Sequence, residues 1–288
     1  MKYRHAFHAG NFADVHKHVT LLAMLRSLAS KEKGFVYLDT HAGRGLYDLA
    51  GEDARRAQEW TDGIGLLEAA SADIPDPDID AYLQTIKALR SRLQRRAAYP
   101  GSPLLALLNL RSQDRAVLVE SQESEHRALR EALRTIDSQA KVVAECADGF
   151  ARLTAWLPPL ERRALLLIDP PYEDAAADFR GLRMAVQNAL TRLPNAVIAV
   201  WYPITQGHDT DSFIERLRQD LPTPPDADRM PTLVSELWVR PRAAPLGLNG
   251  SGLLIINPPW TFEQSAASTL TALHRKLDTG QAGGWQLR

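Results

Sequence analysis

The 288-residue sequence has a single cysteine, Cys146, which excludes a disulfide within the chain and fits a reducing compartment. No apolar run approaches the roughly 18 residues that a membrane span needs. The N-terminal segment has histidines where a signal peptide would have its apolar stretch. These absences predict a soluble, cytoplasmic protein with no membrane partner. The formal net charge is -1, so overall charge gives no argument for binding nucleic acid.

The sequence does contain a series of short apolar runs, several of which end at an acidic residue. Helical patterns separate most of them, and this alternation predicts an α/β fold with a doubly wound, mostly parallel sheet. The runs are 35–38 before Asp39, 116–119 before Glu120, 142–144 leading to Asp148 and Gly149, 165–168 before Asp169, and 196–200 before Trp201-Tyr202-Pro203. Two later runs, 233–239 and 252–256, are joined by a loop without a helix and predict an antiparallel hairpin at the sheet edge.

A long insertion separates the first of these strands from the second. In a dinucleotide-type fold, the acid that reads a ribose follows the glycine loop by about 20 residues. Here the glycine loop is 39–45 and the next strand ends at Glu120. Many more than 20 residues therefore lie between them, and most of these have helical patterns. The spacing predicts an inserted helical subdomain, 47–98, within a Rossmann-like core made of 1–46 and 99–288.

The end of this insertion is strongly basic, since residues 87–96 contain five basic side chains and no acid. On a helix, Arg92 would share a face with Arg95 or Arg96. Such a stripe fits a phosphate backbone. A solvated helix face is the alternative.

The most informative motif is Asp169-Pro170-Pro171-Tyr172, directly after the run 164–168. Ligands of a parallel sheet bind just beyond the carboxyl ends of its strands. A carboxylate there accepts a hydrogen bond from an amine, while the prolines remove backbone donors and Tyr172 offers a ring face to a planar base. This pattern is typical of methyltransferases that act on exocyclic amino groups, especially that of adenine. A proline-rich turn after a strand is the alternative.

The segment from Asp39 to Gly45 (DTHAGRG) combines a strand-terminal acid with glycines, which let a backbone approach a ligand closely. It departs from G-x-G-x-x-G, and its acid suits the amino group and sugar of S-adenosylmethionine better than a pyrophosphate. Acids at or just after the ends of the later strands follow along the chain, each with an expected partner. Glu120 is placed for two ribose hydroxyls, Asp148 with Gly149 for an adenine edge, and Asp169 for the reacting amine.

Two further features of the sequence allow both a structural and a functional interpretation. Ser102 before Pro103 has the form of an N-cap with proline at the first helical position; the helix start either is simply capped or also faces the cofactor carboxylate. Asn257-Pro258-Pro259-Trp260 repeats the amino-methyltransferase pattern, but Asp169 has the position expected in the strand order. The second motif is therefore predicted to be structural or a secondary wall of the site, after a flexible, lid-like loop at 247–252.

Five of the eight histidines fall within the first 41 residues, which raises a metal site as an alternative. His16 and His18 are two apart and do not share a helix face, and no H-E-x-x-H is present, so no metal is predicted. A basic and aromatic arm that contacts nucleic acid and closes over the cofactor fits better. An N-terminal cap on the sheet is the alternative. The arm comprises Tyr3, Arg4, His5, Phe7 and Lys17.

Taken together, these segments resemble one family, the bacterial 23S ribosomal RNA adenine-N6 methyltransferases of the large subunit methyltransferase J type. The segments that carry the resemblance are 3–11 (YRHAFHAGN), Asp14, Lys17-His18, 39–43 (DTHAG), 99–103 (YPGSP) and 169–173 (DPPYE). The resemblance implies a class I methyltransferase core with an inserted helical subdomain.

The resemblance also implies roles for particular residues. Asp169 would be the catalytic proton acceptor, and Tyr3, His5 and Lys17 would act on the RNA or its target base. The implied contacts to S-adenosylmethionine are His18, His41, Ser102, Glu120, Asp148, Gly149 and Asp169.

The expected partner is 23S ribosomal RNA, naked or in early assembly, and the protein is expected to be a monomer. Four alternatives stay open: a DNA adenine methyltransferase, a protein glutamine methyltransferase, a catalytically silent RNA-binding protein and a metal-dependent hydrolase.

Overall fold

The computed structural model describes residues 5–70, 75–206, 210–223, 228–245 and 247–288. Within these ranges, eight strands form one sheet in the order β5-β4-β1-β6-β7-β9-β8-β10. Its strands are β1 (Val36–Asp39), β4 (Arg115–Glu120), β5 (Lys141–Cys146), β6 (Ala164–Ile168), β7 (Val197–Ile204), β8 (Thr232–Trp238), β9 (Gly250–Ile256) and β10 (Gly284–Leu287). A separate antiparallel pair consists of β2 (Leu46–Asp48) and β3 (Ala98–Pro100). The mostly parallel α/β sheet that the sequence predicts is confirmed.

Helices cover both faces of the sheet. They are α1 (Phe12–Ala29), α2 (Glu52–Ala57), α3 (Ile64–Ala69), α4 (Pro77–Leu93), α5 (Ser102–Leu107), α6 (Glu123–Arg134), α7 (Gly149–Trp156), α8 (Ala175–Arg192), α9 (Thr210–Gln219) and α10 (Trp260–Leu277). Successive side chains of β6 point to opposite faces: Leu165 and Leu167 join the core that includes α1, and Leu166 and Ile168 join the core that includes α8. Every residue of β6 is buried, which is why its sequence is continuously apolar. No described helix has the length and apolar character that a membrane crossing requires.

The strand predicted to stop at Val200 in fact continues through Trp201-Tyr202-Pro203 to Ile204. Strand β6 pairs with β7 only as far as Val200, whereas β9 pairs with it as far as Ile204. Pro203 therefore lies in a stretch with a paired neighbour on one side, where a strand tolerates a missing backbone donor.

The predicted antiparallel hairpin is present but not at the sheet edge. β9 lies between β7 and β8, and the unpredicted strand β10 pairs with the outer side of β8. The predicted flexible loop at 247–252 is wrong for its second half, because Gly250 to Gly252 begin β9 and are buried. Gly252 is required by packing: a Cβ there would lie 2.2 Å from the Tyr202 ring.

Helix α1 was not predicted, and it positions the N-terminal part of the site. It begins after Asn11, whose side chain accepts a hydrogen bond from the Asp14 amide, as an N-cap does. Its buried residues lie on all sides, so it lacks the one-sided apolar stripe by which a helix is recognised in a sequence. It packs against α4, α5 and α10.

The inserted segment contains α2, α3 and α4, and the β2–β3 pair joins its two ends. Ile79, Tyr82 and Ile86 of α4 belong to the same apolar core as α1. The division into a core and a helical subdomain stays a prediction.

The predicted basic helix face is wrong. α4 ends at Leu93, and its C-cap Gln94 has φ +52° in the left-handed region, so Arg95 and Arg96 lie beyond the helix and share no helical face with Arg92. Arg95 instead pairs with Asp48 at 3.4 Å.

The second motif, Asn257 to Trp260, lies at the edge of the sheet where the parallel strands begin. β9 runs antiparallel to β7, so its carboxyl end points away from the carboxyl ends of the parallel strands. The Asn257 side-chain amide donates to the carbonyls of Pro194 and Ala196, at 2.8 and 2.9 Å, directly before β7. The motif is structural and does not form a wall of the site.

Candidate active site

A cavity of about 540 Å³ opens at the carboxyl edge of the parallel strands. It lies where the strand order reverses, since β1 is flanked by β4 on one side and β6 on the other, and ligands of open α/β sheets bind at such a point. Its volume is in the range of small-molecule and cofactor pockets. The predicted site residues on its walls are His5, Lys17, His18, His41, Ser102, Glu120 and Asp169.

Asp169 follows β6 and is held by Lys17 from helix α1. The Lys17 ammonium donates to Asp169 Oδ2 at 2.6 Å and lies 3.0 Å from Asp14 Oδ1. Its side chain is 6% exposed, and the Trp201 ring lies 5.7 Å away, at the distance of a cation–π contact. The structure thus places a lysine between two carboxylates on the wall of the cavity.

The charges of this group reinforce one another. Burial alone would lower the pKa of Lys17, but the carboxylates of Asp14 and Asp169 raise it well above its usual range. Burial likewise opposes the charge of Asp14, yet His5 and Lys17 hold the pKa of its carboxyl well below the usual value. Lys17 is therefore an ammonium and Asp14 a carboxylate at neutral pH.

His5 belongs to a short 3-10 helix, His5–Phe7, that precedes α1. Its Nε2 lies 3.0 Å from Asp14 Oδ2, and its ring packs edge-on against Tyr47 at 5.2 Å. The N-terminal segment is thus attached to the cavity wall through His5. Tyr3 and Arg4 lie outside the described residues.

His18 is 1% exposed and its Nδ1 lies 3.0 Å from the Tyr99 hydroxyl. That hydroxyl lies 2.8 Å from the Tyr82 hydroxyl of α4. Burial lowers the pKa of His18 to about 3, so its ring is neutral at pH 7. His16, two residues earlier, contacts Ser251 and Ser235, as expected for side chains on different helix faces.

The glycine loop and Glu120 form the wall beyond β1 and β4. Glu120 accepts hydrogen bonds from the Gly43 and Gln122 amides, at 2.9 and 2.7 Å, and its burial raises its pKa. Gly43 has φ +60°, and a Cβ there would lie 2.7 Å from the Tyr47 hydroxyl, so this position requires glycine. Burial lowers the pKa of His41 to about 4.

Ser102 is not the N-cap that the sequence predicts. Gly101 occupies that position and Ser102 is the first residue of α5. The Ser102 hydroxyl donates to Asp39 Oδ2 at 2.7 Å, and the Tyr37 hydroxyl donates to the same oxygen at 2.7 Å. Asp39 is fully buried, and burial raises its pKa to about 6. It orients Ser102 and is not itself among the described residues that line the cavity.

Asp148 and Gly149 lie at the same sheet edge, at the start of α7, but not among the described lining residues. Asp148 caps the helix by accepting from the Ala151 amide at 2.9 Å. Gly149 packs tightly, since a Cβ there would lie 2.0 Å from the Thr40 carbonyl oxygen. Their contact with an adenine edge stays a prediction.

Tyr172 offers no open ring face to the cavity in this structure, contrary to the expectation that a base stacks on it. It is 6% exposed, its ring packs against Phe179 and Trp201, and its hydroxyl donates to the Trp201 carbonyl at 2.6 Å. With φ +54°, it turns away from the cavity. Trp201 of β7 lines the cavity, as does Tyr47 of β2.

The sequence reasoning missed several lining residues. Trp201 was placed after the end of its strand, and Asp14 was noted only as part of a motif. Glu59, from the inserted segment, accepts from His8 and from Asn11 at 3.0 Å. Asp14 had a usable signal, since it follows Asn11 by three residues at a helix start; Glu59 had none, because its partners are about 50 residues away.

The residues present fit S-adenosylmethionine. The glycine loop leaves its backbone open to the cavity at Gly43, Glu120 and Asp169 supply carboxylates, and His18 and His41 are neutral rings that do not repel a sulfonium. The strand order and this edge define a class I S-adenosylmethionine-dependent methyltransferase.

Comparison with known proteins identifies the family. A family model described as ribosomal RNA large subunit methyltransferase D, RlmJ, matches residues 32–288. The ribosomal RNA large subunit methyltransferase J of Haemophilus influenzae is 38% identical over 99% of this chain and 97% of its own length. That of Escherichia coli is 40% identical over 96% and 94%. The crystal structure of protein LPL1258 from Legionella pneumophila superposes with a TM-score of 0.85 at 34% identity, covering 98% of both chains. The chain belongs to this family of ribosomal RNA methyltransferases.

Proposed function

We propose that the protein transfers a methyl group from S-adenosylmethionine to the exocyclic N6 of an adenine in 23S ribosomal RNA. The observation that carries this proposal is the Asp169 carboxylate, which follows β6 at the point where the strand order reverses and lines the cavity with Pro170 and Pro171. An acceptor at this position, next to prolines that lack amide donors, suits an amine.

S-adenosylmethionine, when bound, supplies an electrophilic methyl group on a positively charged sulfur. The residues that would hold it are His18, His41, Ser102 and Glu120, which line the cavity, together with Asp148 and Gly149 at the same edge. Glu120 would accept hydrogen bonds from the ribose hydroxyls, because its carboxylate keeps acceptor capacity beyond the two amides it already binds.

The target adenine must leave its stack to reach this cavity, at a cost of a few kcal/mol. We propose that Trp201 supplies the apolar ring face against which the base lies, since its indole is on the wall beside Lys17. Tyr3 and His5 of the N-terminal segment and Lys17 of α1 are the residues that would contact the RNA or its target base.

Asp169 then accepts a hydrogen bond from the N6 amine. Lys17 occupies Oδ2, and a carboxylate has a second oxygen for the amine. This hydrogen bond draws the nitrogen lone pair out of conjugation with the ring. Methylation makes N6 acidic, so Asp169 can take its proton directly or through water. Most of the rate comes from positioning and electrostatics.

The finer partner assignments are also proposals. The substrate is naked 23S RNA or an early assembly particle, and the protein acts as a monomer in the cytoplasm. Methylation of DNA adenine or of a protein glutamine uses the same acceptor chemistry, and the substrate panel below separates these possibilities.

The experiment measures methyl transfer from labelled S-adenosylmethionine to deproteinised 23S RNA, 16S RNA and duplex DNA, with the product nucleoside identified by mass spectrometry. The expected product is N6-methyladenosine from 23S RNA alone. Asp169→Ala should lower the rate by about a hundredfold to ten-thousandfold, as expected for loss of a proton acceptor. Asp174→Ala is the matched control, because Asp174 lies in the same loop but caps α8.

Full activity of Asp169→Ala would contradict the mechanism. Label in DNA, or in no nucleic acid, would contradict the substrate assignment.

A further inference from the structure

Asp14 occupies a position that joins the N-terminal segment to the acceptor carboxylate. It is 2% exposed. Its Oδ2 accepts from the Gly10 amide and lies 3.0 Å from His5 Nε2, and its Oδ1 lies 3.0 Å from the Lys17 ammonium. A single buried carboxylate therefore connects the 3-10 helix, the backbone before α1 and the lysine on α1.

The chain of contacts continues to the reacting group. Lys17 donates to Asp169 Oδ2 at 2.6 Å, so Asp14, Lys17 and Asp169 form a line of alternating charge. A lysine stem is flexible and carries a point charge, so it does not orient a carboxylate unless its own ammonium is fixed. Asp14 fixes it from the preceding turn of the same helix.

We propose that Asp14 is a positioning residue for methyl transfer, which holds His5 and Lys17 so that Asp169 meets the amine in one orientation. The inference rests on the proposed function. Asp14 touches neither substrate nor cofactor in this account and acts through Lys17 and His5.

The groups around Asp14 and Lys17 determine how removal of the Asp14 carboxylate affects Lys17. The charged and titratable groups around Asp14 and Lys17 come from several elements, and the Trp201 ring of β7 lies beside them. They are His18 on α1, His5 and His8 before it, Tyr82 of α4, Tyr99 of β3 and Asp169 after β6. Without Asp14, Asp169 is the one carboxylate left against the Lys17 ammonium in this group, so the pKa of Lys17 falls. The ammonium is then less firmly held, and Asp169 is misplaced.

The test compares Asp14→Asn with Asp78→Asn. Asp78 is a matched control: it is also 2% exposed, lies in the first turn of its helix and pairs with a basic group of α1, Arg26, at 3.0 Å. Among the described residues, its partners Arg26, Ser265 and Thr269 do not line the cavity. A role confined to helix capping and stability would affect both variants alike.

We expect Asp14→Asn to lower the single-turnover rate on 23S RNA by about a hundredfold, the effect of a small misplacement of reacting groups, while binding of S-adenosylmethionine stays close to wild type. On the alkaline side of the pH profile, the rate of Asp14→Asn should begin to decline at a lower pH than the wild-type rate, because Lys17 loses its proton more easily. Asp14→Glu, which restores the charge, should recover part of the rate, and Asp78→Asn should keep both the rate and the pH profile.

A second readout does not need RNA. Acetic anhydride labelling of Lys17, followed by mass spectrometry of the folded protein, should increase in Asp14→Asn relative to wild type and Asp78→Asn, because a less protonated amine reacts faster. Equal labelling, a wild-type rate, or a lower rate with an unchanged pH profile would overturn the inference. Absence of methyl transfer by wild type and Asp78→Asn would instead refute the proposed function.

Discussion

The two proline motifs of this chain have nearly the same sequence but lie at opposite edges of the sheet. Asp169-Pro170-Pro171-Tyr172 follows a parallel strand and lines the cavity, whereas Asn257-Pro258-Pro259-Trp260 follows an antiparallel strand and lies at the other edge of the sheet. Their aromatic residues are also reversed, since Tyr172 is 6% exposed and Trp260 is 73% exposed. Strand direction, rather than the motif, therefore decides which acid or amide can take part in chemistry.

The largest stability difference between the two motifs is expected at their aromatic residues. Tyr172→Ala should lower the free energy of unfolding by about 3–5 kcal/mol, the range for removal of a large buried aromatic side chain. Trp260→Ala should change it by less than about 0.5 kcal/mol, as at exposed sites. Denaturant unfolding of both variants measures the difference, and equal losses would mean that Tyr172 does not pack in the core.

A smaller effect on stability is expected at Asn257, the first residue of the structural motif. Asn257 has φ +53° and bonds two carbonyls through its side chain. Asn257→Gly removes these hydrogen bonds, whereas glycine adopts the positive φ without strain. The free energy of unfolding should therefore fall by about 1 kcal/mol. Asn257→Ala adds the left-handed strain of roughly 1–2 kcal/mol. If thermal melts ranked Ala as the more stable variant, the backbone argument would be wrong.

The strand-terminal acids could be predicted from the sequence, because a continuous apolar run that ends at Asp39, Glu120 or Asp169 marks both a buried strand and its carboxyl end. The direction of β9 could not, since it depends on which neighbour the strand pairs with. Helix α1 was not predicted because it is buried on nearly all sides and its buried residues include polar ones, so it has no one-sided apolar stripe. Strand β10 was not predicted because its residues, Gly-Trp-Gln-Leu, do not form a continuous apolar run.

Within the site, the sequence predicted which residues lie at the sheet edge better than it predicted their contacts. Lys17 and Asp169 are in contact across 152 positions of sequence, a distance over which no local pattern operates. Tyr172 was assigned an open ring face because the motif does not reveal the positive φ that turns it into the core. Ser102 lies one position after the N-cap that was predicted for it, and its hydroxyl donates to Asp39 instead of capping the helix.

The central claim, that the Asp169 edge of the sheet is the catalytic edge, is tested most directly by one comparison of rates. Single-turnover methyl transfer to 23S RNA would be measured for Asp169→Ala and Asn257→Ala, each first shown to be folded and to bind S-adenosylmethionine. The account predicts that Asp169→Ala transfers methyl groups at least about a hundredfold more slowly than the wild-type protein and that Asn257→Ala keeps the wild-type rate. A wild-type rate for Asp169→Ala together with an inactive Asn257→Ala would place the chemistry at the opposite edge and contradict it.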